Sequence, residues 1–212
     1  MKTTITILSF FIFSITIPAQ EKTKNDSEAR HLIENATTNR INKDWSQMAE
    51  FRSGIGETVQ FYPVQIVDLK TGKKTNALQV DIALKLRNNQ LTAIQSMGTG
   101  NAVSIVSAFM NDEAFSAWVD LDEIAEFITF IELHIAPNLD LRFKDKSSEF
   151  VFNAKEITIK YLVDEKRRRL SIILNQLQEN GIPFYFWTEA RVDKIPDLLP
   201  MLKNIREKEL QF

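Results

Sequence analysis

The chain has 212 residues, 44% hydrophobic and 25% charged, an ordinary globular composition that excludes a disordered or fibrous protein. A formal net charge of -2 leaves no basic excess for nucleic acid. With no cysteine there is no disulfide framework, thiol nucleophile or lipid-attachment cysteine.

Lys2 precedes "TTITILSFFIFSITIPAQ", which carries no charge until Glu21. One basic residue, a hydrophobic core of about 13 residues and then Pro-Ala-Gln have the layout of a secretory signal peptide, with cleavage expected after Ala19. The run is shorter than the ~20 apolar residues of a spanning helix, so a membrane anchor follows only if residues 1–19 are retained. Their removal takes away Lys2 alone and leaves 25 basic against 28 acidic residues. The expected location is exported, periplasmic or secreted.

Residues 20–27 read as a polar leader, and residues 20–52 as that leader plus an N-terminal helix. Leu32, Ile33 and Ala36, then Ile41, Trp45 and Met48, recur at spacings of three to five, with Asp26 or Ser27 as the cap. "NATTNR" is a weak helix former, so two shorter helices are an alternative; its "NAT" also matches a glycosylation acceptor. "SGIG" ends the segment. The period then changes to two. "TVQFYPVQIVDL" reads as a strand in which Pro63 favours an edge position or a bulge. "KTGK" turns the chain into "NALQVDIALKL", which sets Leu78, Val80, Ile82 and Leu84 on one side. "AVSIVSAFM" and "AFSAWVD" are further strands, and "DLDEIAEFITFI" a helix stopped by Pro137. "EFVFNA", "EITIKYLV", "LSIILN" and "IPFYFWTEA" then give four more strands, and a helical stretch through "DLLPMLKNIREKEL" closes the chain.

Two stretches match. "FSAWVD" at Phe115–Asp120 parallels "FYFWTE" at Phe184–Glu189, and "DEIAEFITFI" at Asp122–Ile131 parallels "DKIPDLLPML" at Asp193–Leu202. A period near 70 residues implies duplication inside one domain rather than a solenoid. The expected fold is α+β: a largely antiparallel sheet built from two internally similar four-strand-plus-helix units, about 57–137 and 147–212, with the helices on one face and an extra N-terminal helix. Residues 53–212 form one domain, and a continuous saddle with pseudo-twofold symmetry is the first expectation.

The repeat bears on Asp120, Asp122 and Glu123, which crowd just before an apolar helix. Such acids accept hydrogen bonds from free first-turn amides and suit the positive end of the helix dipole. In the second copy Asp193 holds the place of Asp122, but Lys194 replaces Glu123. Capping is therefore expected, not a metal site. Trp118 and Trp187 close equivalent strands; they are core residues or, if they face an open side of the sheet, the ligand-binding residues. "DEKRRR" reads as a solvated hairpin tip, or as an anion contact.

No G-x-S-x-G elbow, H-E-x-x-H pair, phosphate-cradling loop or EF-hand occurs. Neither His31 nor His134 has a partner at ligand spacing, so no metal and no cofactor are expected. The "PAQ" leader end and the "DLDEI" helix start resemble small exported proteins of unknown function from Gram-negative bacteria, a resemblance that implies no activity. Two function classes remain. One is a non-catalytic binding or interaction domain for a protein, glycan or apolar ligand of the cell envelope. The alternative is a hydrolase using scattered carboxylates such as Asp120, Asp140 and Glu189.

Overall fold

The computed structural model describes residues 26–83, 115–175, 185–207, 210 and 212. Met1–Ala19, Leu84 and "AVSIVSAFM" lie outside them. Ser27 starts α1 (Glu28–Asn35), its hydroxyl accepting from the Arg30 N–H. The helical reading stops there. Asn39–Lys43 is strand β1, Trp45–Gln47 a single 3-10 turn and Ala49–Arg52 strand β2. Ile41, Trp45 and Met48 mimic helical spacing because the strand is interrupted between them.

Strands β3 (Thr58–Asp68), β4 (Lys74–Ala83) and β5 (Phe115–Asp120) complete a first antiparallel sheet, in the order β1-β3-β4-β5 with β2 also on β3. Gly72, at φ 74°, supplies the left-handed turn residue between β3 and β4. Helix α2 (Leu121–Phe130) follows and continues as a π turn over Ile131–Ile135. The second sheet is a plain meander of β6 (Ser147–Asn153), β7 (Ile157–Asp164), β8 (Arg168–Leu174) and β9 (Tyr185–Thr188). A 3-10 stretch, Val192–Leu198, leads into α3 (Leu199–Glu207). Pro196 and Pro200 explain why this second helix begins as 3-10, since each removes an amide from the regular ladder.

The α+β class and the two antiparallel units with their helices are present. Pro63 does not mark an edge. β3 is central, and the amide that proline lacks would face the point where the neighbouring strand breaks between β1 and β2; the Pro63 carbonyl there accepts from the Asp44 N–H at 3.1 Å. Nor do the units join into one continuous saddle. Residues 116, 118 and 120 turn their backbone groups outward from β5, and side chains occupy them: Arg30 donates to the Ser116 carbonyl, while the Trp118 and Asp120 amides donate to Glu156 and Glu123. That edge is closed to another strand.

Helices α2 and α3 share one core with the inner faces of both sheets. Helix α3 packs on β3 and β4, and Phe127 of α2 stacks on Phe152 of β6 at 4.8 Å, so each unit's helix touches the other unit's sheet. Glu132 and Lys203, which the repeat makes equivalent, pair with each other at 2.8 Å. Only groups beside a pseudo-twofold axis meet their own equivalents. Helix α1 covers the opposite face of the first sheet, over Tyr62, Val64, Ile66, Ala77 and Trp118.

Candidate functional site

The acids of the opening helix sit at a seam between the two units. Asp120 caps α2 in a capping box with Glu123, whose carboxylate accepts the Asp120 N–H at 3.0 Å. Capping thus accounts for the local sequence, but the Asp120 carboxylate also reaches across the fold. It accepts the Glu28 and Ala29 amides at 2.7 and 3.1 Å, serving the first turn of α1 as well. Lys155, on the β6–β7 turn, donates to Asp120 at 2.8 Å and to exposed Asp122, and its own amide donates to Glu123 at 2.6 Å. Oxygens of Asp120, Asp122 and Glu123 lie within 4.8 Å of one another, a spacing that suits a cation. The Lys155 ammonium supplies that positive charge. Burial alone would lower its pKa, but the Asp120 hydrogen bond and charge more than compensate and raise it. Burial raises the Glu123 carboxyl, against the opposing effect of the Asp120 and Lys155 amides.

Beside Lys155, Glu156 is 6% exposed. It accepts from the amide and hydroxyl of Ser27, from Arg30 Nε and Nη2 at 3.0 and 2.7 Å, and from the Trp118 amide at 3.1 Å. Three elements that meet only in the folded chain are fixed by one carboxylate. Sequence reasoning missed it, because Ser27 and Glu156 are 129 residues apart.

A second polar group crosses the first sheet beneath the edge of α1. Asp81 accepts the Tyr62 hydroxyl, Gln79 Nε2 at 2.8 Å and Ser116 Oγ at 2.6 Å. Lys43 lies 3.3 Å from the Tyr62 hydroxyl and over the rings of Tyr62 and Trp45 at 5.1 and 5.7 Å. Burial raises the Asp81 carboxyl, the Ser116 hydrogen bond and the Lys43 charge acting against it. Gln79 Oε1 is buried with no hydrogen-bond partner among the described residues. The alternation of "LQVDI" sets Gln79 and Asp81 on one face, but no local signal says that this face is covered.

The repeat-related tryptophans have different fates. Trp118 is 6% exposed and packs under α1 in the cluster with Ala29 and Tyr62. Trp187 points from the equivalent face of the second sheet, where no described helix lies. The register aligns Val151, Lys160, Ser171 and Trp187 in one row, with Ile173 beside Tyr185 in the next. Val151 and Tyr185 are 42% and 48% exposed. Arg169 stacks its guanidinium on Trp187 at 4.4 Å and is held by Glu189 at 2.7 Å. Of the "DEKRRR" basic residues, Arg167 closes the tip onto Asp164, Arg168 donates to the Leu139 carbonyl, and Arg169 belongs to this face.

The three carboxylates of the hydrolase reading occupy different places. Asp120 ends β5 against Lys155, Glu189 follows β9 against Arg169, and Asp140 is an exposed loop residue before β6. Set against family models, curated proteins and solved structures, the chain matches none.

Proposed function

We propose that this chain is a non-catalytic binding module of the cell envelope, whose recognition surface is the outer face of the second sheet around Trp187. One observation carries this reading. The duplication places two tryptophans on equivalent faces; α1 covers Trp118, whereas Trp187 is half-buried beneath Arg169 on a face where Tyr185 and Val151 are exposed. An apolar strip carrying a stacked arginine, rimmed by Lys160, Glu149 and Glu189, has the make-up of a protein-binding patch, where aromatic and arginine anchors dominate affinity. The exported location rests on the pattern of Met1–Ala19.

The test is a crosslinked pull-down from the cell envelope with wild type and Trp187→Ala side by side, read by mass spectrometry. A protein retained by wild type and depleted at least tenfold with the variant is the expected result. A captured protein indifferent to Trp187 overturns the assignment of the face. Retention of glycan with no protein would overturn the protein-partner reading.

A further inference from the structure

The outer edge of β6 faces an open groove along α2. The Ala154 amide donates to the Ile157 carbonyl at 2.9 Å, and this pair fixes the alternation of the β6–β7 ladder. Phe152, Phe150 and Ser148 turn their amides to β7, so Asn153, Val151 and Glu149 turn theirs outward. Among the described residues no strand pairs with that edge. Helix α2 and its π turn run beside it from Glu123, bonded to the Lys155 amide, to His134, whose ring stacks on Phe150. Between helix and strand lies a groove of about 360 Å³ lined by Ala125, Glu126, Thr129, Phe130, His134 and Val151.

In the other unit the corresponding helix is tied to its edge strand. Asn204 of α3 is the repeat equivalent of Leu133. Its amide donates at 2.9 Å to Gln47, in the 3-10 turn that interrupts the corresponding edge strand. Leu133 has no such tie and is 62% exposed. Glu126, on the groove wall, has no hydrogen bond or ion pair among the described residues. An unpaired edge, apolar residues at Phe130 and Val151, and one uncompensated carboxylate describe the occupant by complementarity.

We infer that the groove takes an extended peptide segment of a partner, which adds as a strand to β6 and carries a β-branched or other apolar residue and a basic residue two positions away. Outward amides and carbonyls of β6 supply the main-chain pairing. Side chains two apart project to the same side, one meeting Phe130 and the other Glu126. Pairing also satisfies an edge that would otherwise invite unspecific association.

The probe is a capped heptapeptide in which threonine alternates with valine, lysine and valine, titrated into the full chain and followed through backbone amide NMR shifts. Perturbations centred on Glu149, Val151 and Asn153 are expected. Val151→Pro deletes an outward amide that the β6–β7 ladder does not use, and should weaken binding at least tenfold. Val151→Thr, which keeps the amide, should bind within about twofold of wild type. Glu126→Lys should weaken the lysine-bearing peptide several-fold, and Trp187→Ala should leave it unchanged, which separates this groove from the proposed face. Of two peptides N-methylated on alternate amides, one should lose binding and the other keep it. Absence of binding at about 1 mM peptide, the weak end of specific affinity, overturns the inference, as does equal binding by wild type, Val151→Pro and both methylated peptides.

Discussion

Replacing Glu156 with alanine removes the acceptor on which five donors converge, two from Ser27, two from Arg30 and the amide of Trp118. What remains is a guanidinium only 20% exposed, with Glu34 at 3.6 Å as its one other acidic partner among the described residues, and a strand-edge amide left without its acceptor. Burial opposes the charge on Arg30, and its raised pKa in the wild type reflects the Glu156 hydrogen bond and charge that offset that cost. Breaking one side of a buried pair costs about 3–5 kcal/mol. Because Arg30 keeps part of its hydration and Glu34, the lower end applies, about 3 kcal/mol by urea denaturation, or roughly 8 °C in Tm for a domain of this size. The loss should be localised. Hydrogen exchange at 28–35 should accelerate to the rate of local opening, while β7 and β8 keep their protection. Arg30→Met combined with Glu156→Leu should recover only part of the stability, since the apolar pair removes the stranded charge but leaves the Ser27 and Trp118 amides without their acceptor. A loss under about 1 kcal/mol with α1 protection unchanged would refute the claim that this carboxylate locks the helix to the seam.

Three further outcomes follow from the same geometry. Trp118→Ala should cost about 3–5 kcal/mol by urea denaturation, as a large buried aromatic does, whereas Trp187→Ala should cost about 1 kcal/mol, near the worth of its stacked arginine. Asp81 has a raised carboxyl pKa, so the folded state holds its proton more tightly than the unfolded state. Its contribution is therefore full below the ordinary carboxylate value of 3.8 and is lost as pH rises through the higher folded value, so the stability of Asp81→Asn relative to wild type should climb over that window in a pH series of urea curves. Millimolar Ca²⁺ should leave the wild-type Tm unchanged within about 1 °C in differential scanning fluorimetry, because the Lys155 ammonium already occupies the place among the Asp120 and Asp122 oxygens; a rise of several degrees would reveal a bound ion.

How far the sequence reaches depends on whether the signal is local. The hairpins of β3–β4, β6–β7 and β7–β8 follow from alternation and turn residues that lie side by side in the chain. So does the start of α2, where Asp120 and Glu123 sit three apart as a capping box requires. Asn39–Arg52 misleads because Ile41, Trp45 and Met48 carry a helical period that pairing with β3 overrides. Pro63 misleads for a related reason: its neighbour strand breaks opposite it, which nothing near Pro63 announces. The repeat is legible in "FSAWVD" and "FYFWTE", yet it is blind to the covering of one copy by α1 and the exposure of the other. Glu156, the residue that joins α1, β5 and the β6–β7 turn, has no sequence signature because its partners come from distant parts of the chain.

The claim on which the proposed function stands is that the two equivalent sheet faces differ, one covered and one open. Acrylamide quenching of single-tryptophan chains tests it without any partner: Trp45→Phe with Trp118→Phe reports Trp187 alone, and Trp45→Phe with Trp187→Phe reports Trp118 alone. The structure predicts quenching of Trp187 several times stronger than that of Trp118, which α1 shields. Equal protection of the two would mean that the second face is also covered, and would contradict the account.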